Sequence, residues 1–192
     1  AAAIERSVAL DPTDPYAHDS KAEILMMSGR FDDAEQAFRD ALALGGDFVG
    51  VHEGLAALSL HRGDEARAVA GLGAAIEEAG DDSSRWRLYV SLAWVHASDD
   101  RAREAIEAIE HGTNSLRASG HPNPEFAVRF ARAQLLALMS DWKQAVVEAE
   151  AASTAVKRPS MFAFMVTAQE AIARAGAGDI AGAESLTASL KA

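Results

Sequence analysis

The chain has 192 residues and a formal net charge of −11. It carries 49% hydrophobic residues, 6% aromatics, five prolines and no cysteine. Disulfides and thiolate zinc sites are thereby excluded, and the alanine-rich, aromatic-poor composition favours helices over sheets. No apolar run approaches the ~20 residues that span a bilayer, and no signal-peptide pattern opens the sequence. The charge is uneven: residues 1–82 hold 17 acidic and 6 basic side chains, whereas residues 83–192 hold 12 of each. Nucleic acid is a poor partner for such a chain, because phosphate binding needs clustered Lys and Arg. A basic peptide or protein near the N-terminal half is favoured electrostatically, and a solubilising surface is the plainer reading.

In chain order, Ile4, Val8 and Leu10 form a short apolar stripe that ends at Asp11-Pro12, since the residue before proline is pushed out of the helical region. Asp14-Pro15 reads as an N-cap with proline at the first helical position. The helix that follows places His18, Ala22, Leu25 and Met26 on one face and stops near Ser28-Gly29. Its partner carries Phe31, Ala34, Phe38, Ala41 and Leu42 at helical spacing and ends at Gly45-Gly46. Residues 49–62 and 64–79 repeat the pair around Gly63 and close at Gly80-Asp81-Asp82.

Internal repetition is explicit. Gly29-Arg30-Phe31-Asp32-Asp33-Ala34 returns as Gly63-Asp64-Glu65-Ala66-Arg67-Ala68, then as Ser140-Asp141-Trp142-Lys143-Gln144-Ala145 and Gly178-Asp179-Ile180-Ala181-Gly182-Ala183. The first two blocks are 34 residues apart. Beyond residue 83 the register loosens to about 38–40 residues. After Trp86 two registers compete: Ala102 with Ser98 as N-cap, or Ala105-Ile106 with Ile109, three residues further on. The linker Ser119-Gly120-His121-Pro122-Asn123-Pro124 follows, with Asn123 placed to cap the next helix. Residues 126–139 and 141–156 form another hairpin that breaks at Arg158-Pro159, and residues 161–175 and 179–190 form the last.

These blocks resemble the tetratricopeptide repeat. The family's large, small, small, large, small and proline positions read His18, Ala22, Ala34, Phe38, Ala41 and Gly46. They read His52, Ala56, Ala68, Leu72, Ala75 and Gly80 in the next block, and Trp86 with Val90 opens a third copy. Arg129 and Arg132 depart from the pattern, standing where the family is usually apolar. The resemblance implies an all-α fold, an α-solenoid of about eleven helices in antiparallel hairpins wound as a right-handed superhelix. One domain over 1–192 is expected, with 1–14 as the second helix of a truncated repeat and repeats at 15–48, 49–82, 83–119, 124–159 and 160–192. The ends lack polar capping helices, so the sequence is expected to be part of a larger bacterial protein or to associate with other copies through its ends.

Carried over position by position, the family's concave groove falls on Tyr16, Asp19, Glu23, Met26 and Met27, then Glu53, Ala57, Leu60 and His61. It continues through Arg87, Ser91, Trp94 and Val95, then Phe130, Gln134, Ala137 and Leu138, then Met165, Ala168 and Ile172. Methionine and aromatic side chains suit adaptable peptide binding; packing between neighbouring hairpins is the alternative for Met26, Leu60, Trp94 and Leu138. One subgroup of the family clamps acidic chaperone tails with Lys and Asn. Here those positions read Asp19, Glu23, Glu53, Ala57, Arg87 and Ser91, and carboxylates repel a carboxylate ligand.

Catalytic patterns are lacking. His52-Glu53 has no second histidine, Gly71-Leu72-Gly73 lies inside a helix with no strand before it, and Arg62-Gly63-Asp64 is the repeat's own turn and cap. His18 and His52 hold equivalent positions and could face one another across hairpins. No catalytic residue, cofactor or metal set is expected. The expectation is a protein-interaction scaffold that binds a peptide or partner protein in its groove, without catalysis. The rival reading is a regulatory or substrate-positioning segment of a larger bacterial enzyme such as a transferase. Cytoplasmic localisation is expected, with the periplasm left open because the helical pattern is already under way at Ala1.

Overall fold

A computed structural model describes residues 2–45, 48–156 and 161–190. Among them are eleven helices and no strand. Gly46 and the Arg158-Pro159 break lie outside the described residues. Residues 1–80 and 81–192 each gather into a compact unit.

The first unit holds α1 (Ala2–Leu10), α2 (Pro15–Met27), α3 (Phe31–Ala43), α4 (Val49–His61) and α5 (Glu65–Glu78). Helices α2 with α3 and α4 with α5 pair as hairpins; α3 packs on α4, and α2 also touches α4. Asp14 caps α2, accepting from the Tyr16 amide at 2.9 Å, with Pro15 at the first helical position. That amide would otherwise be an orphan donor. The core is built as the repeat requires. Ala22, Ala34, Ala37 and Ala41 are fully covered and let the helices approach, while Phe38, Val51 and Leu58 fill the space. Gly54 faces the Phe38 ring so closely that a Cβ there would penetrate it. Leu10, expected on an apolar stripe, is instead 79% exposed.

The second unit holds α6 (Asp82–Ser98), α7 (Ala102–Ala118), α8 (Pro124–Leu138), α9 (Trp142–Thr154), α10 (Met161–Gly176) and α11 (Ile180–Ser189). These form three hairpins, α6 with α7, α8 with α9 and α10 with α11. Successive first helices touch, α6 with α8 and α8 with α10. The register after Trp86 resolves to the longer step: Ala105, Ala108, Ile109 and Gly112 are the buried face of α7, and Arg101, not Ser98, occupies its N-cap. The extra residues go into α6, which has 17 where α2 and α4 have 13. Trp86, with Tyr89, covers Gly112, where a Cβ would lie 2.8 Å from Trp86 Cε3. Asn123 caps α8 by accepting from the Phe126 amide at 3.1 Å, and its amide donates to the Ala155 carbonyl at 2.6 Å.

Every turn inside a hairpin has one residue at positive φ: Gly29, Gly63, Asp100, Ser140 and Gly178. The next amide closes the motif, as Arg30 N to Leu25 O at 2.9 Å and Asp141 N to Leu136 O at 2.9 Å.

Candidate functional site

The first helices of the hairpins, α2 and α4 in one unit and α6, α8 and α10 in the other, carry the residues expected to bind a partner. On α2, positions 16, 19, 23 and 27 recur at helical spacing and share a face. Tyr16 is 65% exposed and stacks on Phe48, with ring centroids 4.4 Å apart. Met27 is 87% exposed, whereas Met26 leans against the core of the unit. Glu23 is exposed and Asp19 half-buried. One oxygen of Asp19 is fully covered without a hydrogen-bond partner among the described residues. Burial pushes the Asp19 carboxyl above the ordinary aspartate range, and the charge of Glu23 one turn later adds to the effect.

Adjoining α4 supplies Glu53 and Leu60, both half-buried, and exposed His61, whose ring lies 4.0 Å from that of Phe31. His18 does not open a histidine pair. Its Nε2 lies 3.0 Å from the Pro12 carbonyl and its Nδ1 3.8 Å from Asp40.

In the second unit Arg87 is exposed, and the half-buried Ser91 donates its hydroxyl to the Arg87 carbonyl at 3.1 Å. Trp94 is 37% exposed. Phe130 is half-buried and stacks on Phe126 at 5.6 Å, and Gln134 is half-buried beside it along α8. Leu138, Met165 and Ile172 are exposed apolar side chains on α8 and α10.

Three buried carboxylates escaped the sequence reading, one of them Glu170, which Arg174 of the same helix holds at 3.0 Å. Glu35 on α3, 7% exposed, receives Arg39 Nη2 at 2.5 Å together with the guanidinium groups of Arg62 and Arg67; Arg62 also holds Asp32 at 2.6 Å. The hydrogen bond from Arg62 holds the Glu35 carboxyl below its ordinary range, with Arg67 and Arg39 reinforcing it against burial. Glu148 on α9, also 7% exposed, pairs with Arg129 at 3.0 Å and Arg132 at 3.2 Å. A signal existed. Glu35 and Glu148 lie on their helices' alanine faces, Glu35 beside Ala34 and Phe38, Glu148 beside Ala145 and Ala152, and such a position demands a cationic partner.

Among the described residues no group of three His, Cys, Asp or Glu side chains is gathered to hold a metal. Among the same residues no helix is long and apolar enough to cross a membrane.

Stacked helix hairpins with small-on-large interfaces define an all-α solenoid, the architecture of repeat proteins that bind other proteins. Residues 25–93 match the family described as Tetratricopeptide repeat, and that stretch carries tetratricopeptide repeats. The crystal structure of PilW, a widely conserved type IV pilus biogenesis factor, is similar at 18% identity and a TM-score of 0.64, over 99% of this chain and 82% of that one. BtubC from P. vanneervenii is similar at 18% identity and a TM-score of 0.67, over 98% and 85%. YrrB, a tetratricopeptide-repeat protein with an unusual peptide-binding site, is similar at 13% identity and a TM-score of 0.50, over 98% and 90%. At such identities the likeness is one of fold. No curated protein matches the sequence.

Proposed function

We propose that the chain is a protein-interaction scaffold, without catalysis of its own, that binds a peptide or a segment of a partner protein on the faces of its first helices. The observation that carries this reading is the row of exposed, adaptable side chains at groove positions of a tetratricopeptide-repeat fold. Tyr16, Met27 and His61 supply it in one unit and Trp94, Leu138 and Ile172 in the other. A peptide-binding site in the structurally similar YrrB supports it.

On the α2–α4 face the recognised group is a cation, Lys or Arg. Asp19 and Glu23 already repel one another. A guanidinium or ammonium there relieves that repulsion. The test is titration of the chain with equal-length basic and acidic peptides at low and high salt. Basic peptides should bind, and more weakly as salt rises. Converting Asp19, Glu23 and Glu53 together to lysine should reverse the preference. A triple variant that still binds basic peptides with the same salt dependence would remove the acidic face from this reading.

A further inference from the structure

Arg129 and Arg132, the departures from the apolar family pattern, line a cleft. On α8 they lie with Glu125 and Val128 on the side opposite Phe130 and Gln134, as the helical period requires. Across from them α7 presents Glu110, Thr113, Asn114 and Arg117 at the same i, i+3, i+4, i+7 spacing, and the space between has a volume of about 340 Å3. Ligand pockets begin at roughly 300 Å3. The site is thus separate from the faces discussed above.

The cleft has more donors than acceptors to satisfy them. Arg129 is engaged by Glu125 at 2.8 Å and Glu148 at 3.0 Å. Arg132 approaches Glu148 with Nε at 3.2 Å but without hydrogen-bond alignment. Its two terminal nitrogens, the whole Arg117 guanidinium and the Asn114 amide make no bond to any described residue. Glu110 is the one carboxylate on these walls without an ion pair among the described residues. Planar guanidinium forks match the two oxygens of a carboxylate. Three arginines facing Glu110, Glu125 and Glu148 balance in charge, which suits a singly charged group better than a phosphate dianion.

We propose that the α7–α8 cleft binds a carboxylate group, held by Arg117 and Arg132 with Asn114 donating, while Glu110 accepts from a hydroxyl or ammonium on the same ligand. The carboxylate belongs either to a free small acid or to an acidic side chain or C-terminus of a bound protein, and the experiment separates the two.

The full chain is titrated at low ionic strength with succinate, with inorganic phosphate and with an N-acetylated peptide ending in glutamate, and binding is followed by calorimetry. Arg117→Ala should weaken carboxylate binding roughly tenfold or more, the loss of one charge-assisted pair. It should keep its helicity, because Arg117 supports no other described side chain. Arg132→Gln should act in the same direction, and Arg103→Ala, which removes an exposed guanidinium on α7 paired to Glu107, should change nothing. Succinate binding with this pattern assigns the free acid; peptide binding without succinate assigns a protein carboxylate. The proposal fails if neither binds, if Arg117→Ala binds as the parent does, or if phosphate binds more tightly than both carboxylates.

Discussion

The junction of α3 with α4 and the junction of α7 with α8 are built from the same repeat and finished differently. In the first, the Phe38 ring seats on Gly54, with Val51 and Leu58 closing the sides. In the second, Leu116, Ala131 and Leu135 join one apolar core, and beside them lies a polar cleft of about 340 Å3 walled in part by Arg129 and Arg132, which pair with Glu148 of α9. The repeat therefore specifies how helices are spaced but not what fills the space between hairpins. An aromatic ring against glycine gives a dry contact whose strength lies in packed area. Arginines against a buried carboxylate give a contact whose net worth is small while complete and whose disruption is expensive.

The aromatic junction predicts the largest effect. Phe38→Ala should cost about 3–5 kcal/mol in urea unfolding, from lost transfer energy plus a residual cavity. Gly54→Ala should cost about 1–3 kcal/mol in spite of alanine's better helix propensity, because its methyl collides with the ring. Joining Gly54→Ala to Phe38→Leu should recover part of that loss, since neighbouring changes couple. Strict additivity of the two would show that the ring–glycine contact is not the controlling one.

At these arginines, Glu148→Ala should cost about 1–3 kcal/mol by removing the carboxylate that Arg129 and Arg132 share. The pair Arg132→Leu with Glu148→Leu, which leaves Arg129 to Glu125, should be close to neutral or stabilising, by the usual balance of desolvation against attraction. If the double replacement destabilises as much as the single one, the ion pair contributes more than its desolvation costs, and the contrast between the two junctions weakens.

How far these features could be read from the sequence follows from their range. The hairpins, the Asp14 and Asn123 caps and the small–large positions were legible because each depends on residues three or four apart. The register after Trp86 was not, because Ala102 and Ala105 both offer an alanine followed by helical spacing; burial against Trp86 and Ile109 settles it. Glu35 and Glu148 were overlooked although their place on alanine faces was visible. Arg39 lies one turn from Glu35, but Arg62 and Arg67 lie 27 and 32 residues from it and Arg129 lies 19 from Glu148, and no local rule joins these. The residues expected to bind a partner were placed on the first helices by the family resemblance, position by position. Period separates Met27 from the core, yet Met26 is settled only by what packs against it.

A smaller effect is expected from pH. The Glu35 carboxyl is held below its ordinary value, chiefly by Arg62, so the folded state binds its proton less readily than the unfolded state. Its stabilisation is complete above the unfolded value near 4.5 and is lost as the pH falls through the folded value. Glu35→Gln should therefore be less stable than the parent at neutral pH, and the gap should narrow as the pH falls below the unfolded value near 4.5. Other depressed carboxylates, Asp81 and Asp179 among them, affect both proteins alike, so the difference isolates Glu35. A gap that stays constant across the titration would mean that the charge of Glu35 is immaterial and only its shape matters.

The turns inside the hairpins predict the smallest change. Three of the five place glycine at the positive-φ position; Asp100 has φ 56° and Ser140 φ 61°. A non-glycine residue there costs roughly 1–2 kcal/mol of steric strain. Glycine returns about 0.5–1 kcal/mol of that through its freer unfolded state. Ser140→Gly should thus stabilise by about 0.5–1 kcal/mol, raising the melting temperature by roughly 2–4 °C per kcal/mol for a chain of this size. Asp100→Gly should gain less, because aspartate tolerates the left-handed region through local hydrogen bonds. Both turns already make the closing bond, Arg101 N to His96 O at 3.0 Å and Asp141 N to Leu136 O at 2.9 Å. The gain must therefore come from the backbone conformation alone. Loss of stability in Ser140→Gly would mean that the serine side chain, rather than its φ, sustains the turn.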